Sequence, residues 1–96
     1  MTTFINVFDV DPDRQQELVD LLIDGVQQVI RHRPGFIGST ILAGLDGARV
    51  INLTEWERAE DARATQGDPA AAAYAQRAVS LAAADPALYR VAADIR

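Results

Sequence analysis

Residues 36–56, FIGSTILAGLDGARVINLTEW, decide the fold. Phe36 to Ala43 reads as a strand. Leu45-Asp46-Gly47 follows, and Asp-Gly is a strong hairpin-turn signal. Arg49 to Trp56 is then a further strand, antiparallel to the one before it. Its alternation places Val50, Asn52, Thr54 and Trp56 on one face and Ile51, Leu53 and Glu55 on the other. A carboxamide and the chain's one tryptophan thus share a face, four residues apart. An amide and an indole N–H beside an apolar ring suit a pocket for a flat, oxygen-rich molecule. The same face also reads as plain core, with Asn52 bonded to nearby backbone, because buried polar groups find partners.

Upstream of the hairpin, Thr3 to Val10 sets Phe4, Asn6, Phe8 and Val10 against Ile5 and Val7, a strand apolar on both faces. Asp11-Pro12-Asp13 gives a helix start with an acidic cap and a first-turn proline. Leu18, Leu22, Val26, Val29 and Ile30 recur at helical spacing from Gln15 to Ile30, and Pro34-Gly35 ends the helix. Downstream, Glu57 to Gln66 reads as a short helix broken at Gly67. Asp68-Pro69 starts an alanine-rich helix running to about Ala84. Asp85-Pro86 reads as its stop, and Leu88 to Ile95 as a final strand.

Strand, helix, strand, strand, split helix, strand is the order of the ferredoxin-like α+β fold, a four-stranded antiparallel sheet with helices on one face. The chain of 96 residues forms one such domain, spanning 1–96. Helices cover only one side of the sheet. Ile5, Val7, Ile37, Ile41, Ile51, Leu53, Val91 and Ile95 are expected to line the other. A sheet face that apolar calls for a second copy, so the expected assembly is a two-fold sheet-to-sheet homodimer.

Composition narrows the chemistry. The net charge is −5, every basic residue is an arginine and the arginines are scattered, which disfavours nucleic acid. There is no cysteine, hence no disulfide, thiolate zinc site or cysteine nucleophile. The lone His32, between two arginines at a helix end, reads as a surface residue, so no metal site is expected. No stretch reaches the ~20 apolar residues of a membrane span, and a cytoplasmic protein is the expectation.

The pieces resemble, in order and spacing, the antibiotic biosynthesis monooxygenase family. The carriers are Ile5-Asn6-Val7-Phe8, Arg33-Pro34-Gly35-Phe36, Leu45-Asp46-Gly47, Val50-Ile51-Asn52, Trp56-Glu57, Asp68-Pro69 and Asp85-Pro86-Ala87-Leu88-Tyr89. The family consists of dimeric ferredoxin-like barrels. The branch most resembled forms quinones from anthrone-like polycyclic phenols, using molecular oxygen and no cofactor. The resemblance implies that Asn52 and Trp56 serve the reaction. It also implies an arginine on the later helix, which Arg77 approaches without matching its register, and a tyrosine whose place falls near Ala62, where the role is vacant. Tyr74 is a further candidate.

Oxygen in its triplet ground state reacts slowly with closed-shell phenols, so a cofactor-free oxygenase has to favour the substrate anion. Asn52 and Trp56 would donate hydrogen bonds to it and Arg77 would add charge. Asn6, Phe4, Phe8, Thr54 and Tyr74 would contact the aromatic substrate. No residue stands out as a general base. Two other readings stay open. One is a haem-degrading member of the same family, using Asn6 and Trp56 but lacking a histidine on the later helix. The other is a non-enzymatic dimer that binds a small aromatic molecule.

Overall fold

The computed structural model describes residues 1–96. Strand β1 (Thr2–Val10) leads through a 3-10 turn at Pro12–Arg14 into helix α1 (Gln15–Gln28). A second 3-10 turn, Ile30–His32, precedes β2 (Phe36–Ala43), which pairs with β3 (Arg49–Trp56). Helices α2 (Ala59–Gln66) and α3 (Pro69–Leu81) follow, and β4 (Ala82–Tyr89) closes the sheet. The strand order is β2-β3-β1-β4, antiparallel throughout, which is the ferredoxin-like arrangement.

Local chemistry explains the punctuation. The Asp11 side chain accepts from the Asp13 N–H at 2.9 Å, with Pro12 in the first turn. Asp68 caps α3 through the Ala71 N–H at 3.1 Å, with Pro69 after it. Each cap satisfies one of the donors a helix start leaves free. Gly47 turns the hairpin at φ +80°, where an L side chain would be strained. Gln15 fastens α1 to the hairpin base by donating to the carbonyls of Gly44 at 2.9 Å and Arg49 at 3.0 Å.

The core lies between the sheet and the helices. Phe8, Val10 and Val50 come from the sheet, Leu18 and Leu21 from α1, and Ala78 from α3. Gly25 in mid-α1 is buried against the Tyr74 ring; a Cβ there would sit 3.1 Å from two ring carbons. Glycine costs about 1 kcal/mol in a helix interior, and here it lets α1 and α3 approach.

Two sequence expectations are corrected. The last strand is Ala82–Tyr89, not Leu88 to Ile95, and α3 stops at Leu81 rather than near Ala84. Pro86 is tolerated because β4 is an edge strand paired only with β1. Small residues at 82–84 suit pairing beneath the helices, opposite Val10, Asp9 and Phe8, and this overrides alanine's helix preference. Val91 and Ile95 therefore lie outside the sheet.

The second correction concerns β2. Phe36 pairs with Trp56, but the next pair is Gly38 with Glu55, so Ile37 is a bulge. One extra residue inverts the alternation of everything after it. Ile41 consequently pairs with Asn52 and packs against the core instead of lining the outer face, while Leu42 takes the outer place opposite Ile51.

Candidate functional site

The face of the sheet turned to the helices carries Phe4, Asn6 and Phe8 on β1, and Asn52, Thr54 and Trp56 on β3. With Ala84 and Pro86 of β4 they floor a cavity of about 290 Å³, roofed by α1 and α3. For scale, a cavity of roughly 150 Å³ holds one benzene ring, so this one has room for a small fused-ring molecule. The roof is a set of alanines on α3, Ala71, Ala72, Ala75 and Ala78, whose short side chains leave the space open. All the residues expected from the sequence to touch substrate are here: Phe4, Asn6, Phe8, Asn52, Thr54, Trp56 and Tyr74.

The polar groups of the floor are arranged by register. Asn6 and Asn52 are direct cross-strand partners, and Thr54 is the cross-strand partner of Ser39 on β2. The Asn52 Oδ1 lies 3.3 Å from the Ser39 hydroxyl and 3.4 Å from the Thr54 hydroxyl, which are themselves 3.1 Å apart. Two hydroxyl protons serve these three contacts, so at least one of them goes to Oδ1. Turning the amide over would leave a hydroxyl proton without an acceptor inside the cluster. Thr54 is only 2% exposed, so its proton has to be taken up within the cluster, by Asn52 Oδ1 or Ser39 Oγ. With the oxygen of Asn52 toward β2, both hydroxyl protons are accepted inside the cluster, and its N–H₂ is left to donate elsewhere.

Asn6 is held in a parallel way. Its Oδ1 accepts from the Asp85 backbone N–H at 3.1 Å, which again frees the amide nitrogen. Trp56 is 3% exposed and meets Phe36 edge to face at 6.0 Å. Its indole N–H has no hydrogen-bond partner within the chain and is not among the sealed, unpaired polar atoms, and the residue lines the cavity. The floor therefore offers uncommitted N–H donors in otherwise apolar surroundings.

Tyr74 is the ionisable side chain of the lining. Its hydroxyl donates to Asp24 Oδ2 on α1 at 2.6 Å. The phenol is raised above its ordinary 10.0, first by the hydrogen bond to Asp24, then by desolvation and by the charge of that carboxylate; Arg77 acts in the opposite sense. Tyr74 is thus held protonated at neutral pH. Arg77 does not line the cavity. Its guanidinium lies 5.1 Å from the centre of the Tyr74 ring, beside Glu17, Asp20 and Asp24 in an outer cleft between α1 and α3. His32 is exposed in the turn after α1. No three His, Asp or Glu side chains converge on a metal-sized site.

Sequence reasoning misses Ser39. The available signal is Gly38, since a glycine inside a strand pattern marks a bulge.

Comparison with known proteins identifies the family. Residues 1–77 match the family model for antibiotic biosynthesis monooxygenase. Tetracenomycin-F1 monooxygenase of Streptomyces glaucescens is 42% identical over 67 residues, a match covering 70% of this chain and 60% of that protein. A crystal structure of the ActVA-Orf6 monooxygenase of Streptomyces coelicolor, in complex with nanaomycin D, superposes with a TM-score of 0.88 at 31% identity, covering 99% of this chain and 90% of the other. A mutant form of SnoaB, a cofactor-independent oxygenase of Streptomyces nogalater, shares the fold with a TM-score of 0.86 at 20% identity, covering 98% and 95%. The chain belongs to the antibiotic biosynthesis monooxygenase family.

Proposed function

We propose that this protein is a cofactor-independent monooxygenase that oxidises a polycyclic phenol or anthrone to a quinone with molecular oxygen. The observation that carries the reading is the pair of free donors, the Asn52 N–H₂ and the Trp56 indole N–H, on the floor of an apolar cavity. The 42% identity to a tetracenomycin-F1 monooxygenase and the likeness to a monooxygenase that holds nanaomycin D support the substrate class.

The chemistry follows from the charge that develops. Loss of the phenolic proton gives an oxyanion whose ring carbon gives up an electron to oxygen readily. Fixed N–H donors stabilise that oxyanion, each contributing roughly 3 kcal/mol in a water-poor site. One oxygen atom becomes the new carbonyl, and the other leaves as water with the two hydrogens of the oxidised methylene. Tyr74 stays protonated, so it contributes shape and a hydroxyl rather than a base. An acidic substrate phenol delivers its proton to solvent.

The outer sheet face supports a homodimer. Ile5, Val7, Ile51 and Leu53 are half-buried there, and Leu42 is 49% exposed. No helix is long and apolar enough to cross a membrane, in keeping with a cytoplasmic enzyme. The deciding experiment is oxygen uptake with dithranol as substrate, using metal-stripped protein without flavin. Catalysed uptake and quinone formation are expected. Activity that appears only after adding flavin, haem or iron would overturn the mechanism.

A further inference from the structure

We propose that Ser39 is a positioning residue: the β2 bulge carries its hydroxyl to the cavity face, where it holds Asn52 with the amide N–H₂ turned to the substrate oxygen. The inference rests on the cavity being the site where the substrate anion forms.

The register shows what the bulge does. Phe36 opposes Trp56 and Gly38 opposes Glu55, so Ile37 has no partner. Continued without the bulge, the ladder would place Ser39 opposite Leu53, on the outer face. With it, Ser39 stands opposite Thr54, on the sheet face turned to the helices, beside the cavity lining and 3.3 Å from Asn52 Oδ1. Bulges next to sites re-aim a side chain in this way. Gly38 is not forced by crowding, since a Cβ there meets nothing within 4 Å. Thr54 also contacts the amide, but from within the same strand. Its hydroxyl lies 3.4 Å from Oδ1, and its side chain is placed by the strand that carries Asn52. Ser39 reaches Asn52 from the neighbouring strand, so it ties the amide to a second element. Nothing about substrate binding as such requires Ser39; what it sets is which end of the carboxamide the anion meets. A free amide presents its carbonyl part of the time, and a carbonyl repels an oxyanion.

The test reads the ionisation of a bound ligand and needs no turnover. Dithranol is titrated anaerobically by absorbance, free and bound. Wild-type protein is expected to favour the ionised form, lowering the apparent pKa of the bound ligand. Ser39→Ala should lose about tenfold of that preference, which is one pKa unit, and Ser39→Thr, which keeps a hydroxyl, should restore most of it. Affinity for the product quinone should stay within about twofold, and kcat for oxygen uptake should fall about tenfold with little change in KM, the signature of an interaction made only with the anion. Ser39→Cys, close in size with a weak S–H donor, carries the same expectation if the alanine variant is unfolded. An unchanged ligand pKa in the folded Ser39 variants overturns the proposal even where oxygen uptake is normal in wild type. A lowered ligand pKa with no oxygen uptake would instead sink the oxygenase reading and leave the role of Ser39 standing. If wild type does not lower the ligand pKa, both fail.

Discussion

The hydroxyl of Tyr74 on α3 donates to the carboxylate of Asp24 on α1 across 2.6 Å, joining residues 50 apart in sequence over the roof of the cavity. The bond raises the Tyr74 phenol above 10.0. A raised phenol favours the protonated folded form, so this stability is fully present below pH 10.0 and is lost as pH rises through the folded-state value. Thermal melts in alkaline buffers should show the midpoint of wild type falling more steeply than that of Tyr74→Phe. Parallel curves would count against the link.

Asn52→Ala and Trp56→Phe each remove one donor from the cavity floor. Oxygen uptake with dithranol should slow by about ten- to a thousand-fold in each. Product affinity, measured by fluorescence or absorbance titration, should change much less. Equal losses in turnover and in quinone binding would mean that the pair serves shape alone.

Gly35 adopts φ +82°, and a Cβ there would collide with the Asp61 carboxylate, whose Oδ2 is buried without a hydrogen bond and lies 3.8 Å from the Arg58 guanidinium. Gly35→Ala should destabilise by about 2 kcal/mol or more, combining a left-handed backbone with the clash. Asp61→Ala in the same chain should recover part of the loss. Denaturant midpoints of the two singles and the double give the coupling. Strict additivity would show that strain in the backbone is the whole cost.

Leu53 pairs with Ile5 and Thr40 in the middle of the outer face. Leu53→Asp should convert the protein to monomer, or unfold it, by light scattering and circular dichroism. An unchanged dimer would place the interface elsewhere.

Much of this architecture is readable from residue patterns. β-branched and aromatic residues in Thr3–Val10 and in the Arg49–Trp56 strand locate β1 and β3, and the shared face of Asn52 and Trp56 follows because successive side chains of a strand point to opposite faces. The Asp-Pro pair at 68–69 marks the start of α3 through a capping bond that needs only local geometry. The failures come from non-local forces. Asp85-Pro86 has the chemistry of a helix stop, and only its place on a sheet edge makes it strand. Ile41 changes sides because a single unpaired residue, Ile37, resets the parity of β2. Arg77 is assigned from its neighbourhood on a helix, but a turn of roughly 100° per residue decides between roof and rim, and it sits at the rim with Asp24.

Pro86 lies in the middle of β4, and β4 is one edge of the sheet; the other edge, β2, carries the bulge at Ile37. An edge with a proline offers an incomplete row of donors, and a bulged edge is bent out of line, so neither is a good template for another strand. The apolar outer face favours a neighbour, while growth sideways is disfavoured at both borders. In the proposed dimer this directs contact to stacking, which closes after two copies, and away from ribbon-like polymerisation, which has no natural end. Filling the donor row of β4, as Pro86→Val would, removes that brake while leaving the cavity's apolar floor in place.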